Sequence, residues 1–267
     1  MATVRELYEL WAGESEVQAE LKRSLAPRGR DWLFEVFAAL GPKPGQLVVD
    51  AGARDARHAI RLVREHGLRA VALDPVPVHA DLARRAVAEA ELEREIEVVE
   101  AGLEAMPLDD AYADWIWCRD VLTHVDVGPA LAECARVLRP AGKLVAYVTL
   151  ATSRLEPREA AELAEAVAVV LESMDATGLE AAAAAAGLAP VSVTRLASEW
   201  RERMIEDGDW DAGADALELA RLRRRETELV ERYGEATVAA AAGGRLWGLY
   251  QLLGKLCPSV YVWERRA

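Results

Sequence analysis

Apolar residues along this chain recur in two rhythms. Near the start the rhythm is helical. Val4, Leu7, Tyr8 and Trp11 fall at i, i+3, i+4 and i+7, one face of a helix. Thr3-Val-Arg-Glu6 is a capping box that opens it. A second helix carries Leu33, Val36, Phe37 and Leu40 and stops at Gly41-Pro42, with Pro44-Gly45 forming a turn. From there short apolar runs alternate with helical patterns. Strands are predicted at 47–49, 70–73, 96–99, 113–118 and 144–150. The helix after the first strand carries Ala59, Leu62 and Val63 and ends at Gly67. The next runs over 78–92, and the helix after the fourth strand carries Leu131, Cys134, Ala135 and Leu138. Arg139-Pro140-Ala141-Gly142 reads as the turn into strand five. Repeated βα units with short apolar strands imply an α/β fold built on a parallel, doubly wound sheet.

After strand five the rhythm changes. Pro157 opens a helix over 157–171, and Thr177-Gly-Leu-Glu180 reads as a capping box for the Ala181–Ala186 run. Val191, Val193 and Arg195 alternate with Ser192, Thr194 and Leu196, which predicts strand six. Residues 198–256 are expected to form three helices before a last strand at 259–263. Structureless loops of that length are uncommon. The stretch is therefore a helical insertion, expected to cap the C-terminal edge of a mostly parallel seven-stranded sheet. The expected units are N-terminal helices over 1–44 that cover the ligand site, a Rossmann-like core over 45–197, the cap over 198–256 and a final core strand over 257–267.

Composition narrows the function classes. No run of 18 apolar residues occurs, so no membrane span is expected. A formal charge of −13 repels nucleic acid phosphates, and the basic run Arg221–Arg225 lies between Glu218 and Glu226 as a solvated helix face. Three scattered cysteines (Cys118, Cys134, Cys257) fit a reducing cytoplasm better than a disulfide framework. No Cys/His cluster has metal-ligand spacing, so no metal is expected. The expected partner is a small molecule rather than nucleic acid or a membrane, with a homodimer allowed.

The candidate chemistry lies at the strand ends. In open α/β sheets ligands bind beyond the carboxyl ends of the strands. There Asp50-Ala51-Gly52 turns from strand one into a helix, and Asp74 closes strand two. Gly52 lets the backbone turn sharply. The following helix aims free N–H groups at the pocket, and Asp74 offers two acceptor oxygens to ribose hydroxyls. A nicotinamide dinucleotide would need G-x-G-x-x-G, of which only Gly52 is present.

This constellation resembles the class I S-adenosylmethionine-dependent methyltransferases. Val49-Asp50-Ala-Gly52-Ala matches the family's first motif, and Leu73-Asp74-Pro75 its ribose-binding acid. Glu104-Ala-Met-Pro107 matches the segment after strand three. Asp114–Val125 and Ala130–Leu144 match strand four, its loop and the turn into strand five. The resemblance implies S-adenosylmethionine as cofactor, with Asp50, Ala51, Gly52, Asp74 and Pro75 around it and Gly102 and Leu103 facing the adenine. Two departures stand out: Arg54 and Ala56 occupy positions where the family places glycines, and Gly102 stands where Asp is frequent. The Arg54 side chain either crowds the methionine part of the cofactor or binds its carboxylate.

On the substrate side His124, in the loop after strand four, is the candidate general base; the alternative is a packing or cofactor-orienting histidine. Arg119 is expected to face the methionine portion, with Asp120 orienting the loop. His58 reads as structural, and His66 and His79 as surface residues. Among eight tryptophans, Trp200 and Trp247 join Tyr250 in or beside the insertion, and Tyr8 and Trp11 lie on the first helix. These five are expected to line a pocket for an apolar or aromatic small molecule, unless they only pack the cap. The expected function is methyl transfer to such a molecule. The alternative is a methyltransferase-like protein without transfer activity, a cyclase or binding protein.

Overall fold

The computed structural model describes residues 2–13 and 15–266. Helices α1 (Val4–Ala12), α2 (Ser15–Leu21) and α3 (Trp32–Ala39) precede β1 (Leu47–Ala51), α4 (Arg57–His66), β2 (Arg69–Leu73), α5 (Pro77–Glu89), β3 (Ile96–Val99) and β4 (Ala113–Arg119). Then come α6 (Val127–Val137), β5 (Leu138–Ala151), α7 (Pro157–Val167), α8 (Ala176–Ala185) and β6 (Leu188–Arg195). Four helices, α9 (Glu199–Glu206), α10 (Ala212–Arg224), α11 (Glu226–Tyr233) and α12 (Glu235–Leu252), lead to β7 (Leu256–Arg265). The seven strands form one sheet in the order β3-β2-β1-β4-β5-β7-β6. β7 runs antiparallel to both neighbours, and the pairs from β3 to β5 are parallel. No helix among the described residues is long and apolar enough to cross a membrane.

Burial explains the strand rhythm. Every residue of β1 is buried, because helices cover both faces of a parallel sheet and leave no polar side. On one face Leu33, Phe37, Leu62 and Trp117 pack with α3, α4 and α5. On the other, Leu131, Cys134, Leu179 and Trp263 pack under α6 and α8. α1 opens with the expected capping box of Thr3 and Glu6. α4 ends at Gly67, whose left-handed φ of 65° closes its last turn.

Several local expectations change. The insertion holds four helices rather than three, because the chain breaks at Arg225 between α10 and α11. α8 is capped by Asp175, which accepts from Gly178 N–H, so Thr177 lies inside the helix. α7 ends at Val167, and a separate 3₁₀ turn covers Leu171–Met174. Arg139–Gly142 continues β5 across a bulge instead of turning before it. His66 is half-buried against Phe37, with ring centroids 5.5 Å apart, rather than a surface residue.

The cap has its own apolar centre of Leu163, Leu219, Leu246 and Tyr250. Gly243 lets α12 approach α7 closely: a Cβ there would lie 2.5 Å from Ala166 Cβ. α9 instead reaches back to the sheet, where the Trp200 ring packs at a tilt against Tyr147 of β5, centroids 4.8 Å apart.

Candidate functional site

The parallel strands bring β1, β2 and β4 to one edge, and three loops meet there. The loop after β1 has the backbone of a glycine-rich turn with only its first glycine. Gly52, Arg54 and Ala56 all adopt positive φ, 74°, 52° and 55°. For a residue with a Cβ that region costs roughly 1–2 kcal/mol. Backbone hydrogen bonds hold the conformation. Gly52 and Ala53 N–H donate to Leu73 O at 2.7 and 3.0 Å, and Arg54 N–H donates to Asp74 Oδ2 at 2.9 Å. A Cβ on Gly52 would overlap Val121 Cγ2 in the loop after β4. Here glycine is needed for space as well as for φ. The Arg54 side chain is exposed, so its contribution to the loop is its backbone N–H.

Asp50 roots this loop. It is buried, accepts Ala59 N–H at 3.0 Å, and its pKa is pushed up to about 7, first by burial. Asp74, 6% exposed, takes Val76 N–H on Oδ1 at 3.0 Å. His79 Nδ1 lies 3.1 Å from the same oxygen, so His79 belongs to the site rather than to the open surface. Oδ2 takes only the Arg54 N–H among the described residues. A carboxylate oxygen has two lone pairs, which leaves an acceptor for a ribose hydroxyl. Pro75 beside it is exposed. After β3, Leu103 is buried in the same cluster as Ala51 and Leu73, and Gly102 is half-buried. A turn of positive-φ backbone, an acid with a free acceptor and an apolar patch beside it fit an adenosyl cofactor.

The loop after β4 carries the rest. Arg119 Nη1 lies 3.1 Å from His58 Nε2. A guanidinium only donates, so His58 accepts and is neutral, and burial followed by the Arg119 charge lowers its pKa to about 4. His58 is therefore a partner of the β4 end rather than only a packing residue. Arg119 also lies over Trp200 and Tyr147, at 5.5 and 5.9 Å. Asp120 has φ 59° and accepts Thr149 Oγ1–H at 2.9 Å, while burial raises its pKa. Gln251 Nε2 donates to Thr149 Oγ1 at 3.3 Å, and Arg201 Nε donates to Gln251 Oε1 at 2.7 Å. This chain ties α9 and α12 of the cap to the loop after β4. Arg201, Gln251 and Thr149 carry no sequence motif; only the fold brings them together.

His124 ends a 3₁₀ turn, Leu122–His124, and its ring is exposed. Its Nδ1 lies 3.1 Å from the Ala168 carbonyl, just past α7. A carbonyl only accepts, so Nδ1 carries a proton, and in the neutral ring Nε2 is the nitrogen with the free lone pair. A cavity of about 760 Å³ opens between α3, α4 and α9, lined by Arg28, Phe34, His58, Arg61 and Arg119 among others.

The five aromatic residues expected around a substrate do not converge. Trp200 is buried beside Arg119. Tyr250 sits in the cap's own core with Trp247 packed against it. Tyr8 and Trp11 are exposed, with ring centroids 5.2 Å apart, on a helix none of whose residues is buried.

Comparison with known proteins points the same way. Residues 49–146 match a protein-family profile described as a methyltransferase domain. A dimethylglycine N-methyltransferase of Parasynechococcus marenigrum is 31% identical over 153 residues, 55% of each chain. The chain thus spans about half the length of the curated relatives it matches. Two solved structures share the fold. The cyclase SpnF superposes with a TM-score of 0.67 at 16% identity, covering 98% of this chain and 94% of SpnF. Geranyl diphosphate C-methyltransferase of Streptomyces coelicolor gives 0.66 at 13% identity, covering 88% and 78%.

Proposed function

We propose that this chain, which belongs to the class I S-adenosylmethionine-dependent methyltransferase family, transfers a methyl group to a nucleophile on a small apolar or aromatic molecule, with His124 as general base. The bound cofactor supplies an electrophilic methyl on a sulfonium. Asp74 would receive a ribose hydroxyl on its free acceptor, the loop from Asp50 to Ala56 would present its backbone to the methionine end, and Leu103 and Gly102 would flank the adenine. Trp200 and Tyr147 wall the substrate side, and the cap excludes water. His124 Nε2 takes the proton from the substrate hydroxyl or amine, while Ala168 O fixes the ring. A positioned base of this kind contributes roughly 10²–10⁴-fold.

One observation carries the reading. The tautomer fixed by Ala168 aims the basic nitrogen away from its anchor, on the strand edge that bears the Gly52 loop and Asp74. The test pairs S-adenosylmethionine with pools of apolar and aromatic acceptors and follows S-adenosylhomocysteine release and a methyl-sized mass gain. His124→Ala is expected to lower turnover about a hundredfold with cofactor affinity unchanged. Equal loss of both, or of neither, would assign His124 to structure.

A second reading keeps the fold and cofactor but no transfer. It is favoured by the near-complete overlap with SpnF, a cyclase, and by the two missing loop glycines. It requires cofactor binding with no S-adenosylhomocysteine release from any acceptor, so a single mass-shifted product removes it.

A further inference from the structure

A second cavity, of about 950 Å³, shares no lining residue with the cavity beside Arg119 and His58. It lies inside the cap between α7, α10, α11 and α12. Its floor is apolar: Leu219 and Leu222 from α10, Val230 from α11, and Val238, Leu246 and Tyr250 from α12. Its rim is dominated by glutamate. Glu159 is paired with Lys255, and Glu162 with Arg223 at 3.5 Å. Glu156, Glu165, Glu226 and Glu235 also line the cavity and hold no ion pair among the described residues, against the single unpaired cation Arg158. The volume falls in the roughly 300–1,000 Å³ range of small-molecule sites.

We propose that this cap cavity binds an apolar organic cation, an amine or quaternary ammonium with a hydrocarbon body, between the apolar floor of α10–α12 and the unpaired glutamates of the rim. Burying the hydrocarbon body supplies most of the affinity, because apolar surface leaves water. The glutamates select the sign of the head group. They are exposed, so their attraction is screened by salt over about 10 Å at moderate ionic strength. The proposal does not depend on methyl transfer and stands or falls without an enzyme assay.

The test is calorimetric titration of the full chain with decyltrimethylammonium, decyl sulfate and decanol, each below its micelle concentration. The cation is expected to bind about tenfold tighter than decyl sulfate at low salt, with the difference shrinking as salt rises. Replacing Glu165, Glu226 and Glu235 together by Gln should weaken the cation about tenfold and leave decanol unchanged. Ala239→Trp and Leu222→Trp, which fill the cavity from two helices without altering charge, should each abolish binding of all three probes. Thermal melts confirm that the variants fold, and either filling variant alone suffices. Equal affinity for cation and anion overturns the proposal, as does undiminished cation binding in a folded filling variant, which would mark a response to overall negative charge. Binding of a basic amphipathic peptide but not of decyltrimethylammonium also overturns it, in favour of a protein partner.

Discussion

The loop after β1 and the helical cap do neighbouring jobs by different means. The loop is held through its own backbone N–H groups. Its N–H groups bond to Leu73 O and to Asp74, and its shape survives with Arg54 and Ala56 in left-handed conformations. The cap is held by side chains: a close approach at Gly243, an apolar cluster around Leu246, and the polar chain Arg201–Gln251–Thr149–Asp120. A backbone device tolerates changes of residue type as long as the strain is offset by hydrogen bonds. A side-chain device does not, because each link has a specific partner. The cofactor half is therefore expected to forgive substitutions that keep φ, while the cap fails when one polar link is cut.

The sharpest way to break this contrast is Gly52. A Cβ here overlaps Val121 and is strained at φ 74°, so Gly52→Ala should cost roughly 2–4 kcal/mol and abolish cofactor binding. Chemical denaturation and calorimetry with S-adenosylhomocysteine check both. Gln251→Leu cuts two links of the cap chain and removes one hydrogen-bond partner each from Arg201 and Thr149. A loss of about 1–3 kcal/mol is expected, with cofactor affinity nearly unchanged; a large loss of affinity would merge the two regions into one device.

Asp50 tests the root of the loop by pH. Its folded pKa, raised by burial from 3.8 to about 7, lies above its unfolded value. The folded form holds a proton that the unfolded form has released, so its stabilising contribution is complete below about pH 4 and is lost as pH rises through about 7. Asp50→Asn should flatten that slope in melts across the range. The smallest effect is expected at Arg54. Arg54→Gly relieves a left-handed residue and should raise stability by about 1 kcal/mol with affinity unchanged. A drop in affinity would show that the guanidinium, not the backbone, grips the cofactor.

The α/β rhythm was legible because parallel strands bury both faces and leave short, unbroken apolar runs such as Leu47–Ala51. Gly52 and Asp74 were legible because the turn and the acid end adjacent strands. The pairings were not. His79 meets Asp74 only because α5 starts back over the loop, and nothing in its spacing announces a contact. His58 reads as a helix residue until Arg119, 61 positions away, is placed against it. Gln251 meets Thr149 across 102 positions. Aromatic chemistry alone did not place these residues either: Tyr8 and Trp11 are exposed, while Trp247 and Tyr250 pack within the cap.

The most direct measurement is calorimetric titration of the wild-type chain with S-adenosylhomocysteine, repeated on Gly52→Ala and Arg54→Gly. Single-site binding is expected in the wild type, retained in Arg54→Gly and lost in Gly52→Ala. No heat at millimolar ligand, or binding that survives in Gly52→Ala, would contradict a cofactor site built from the backbone of this loop.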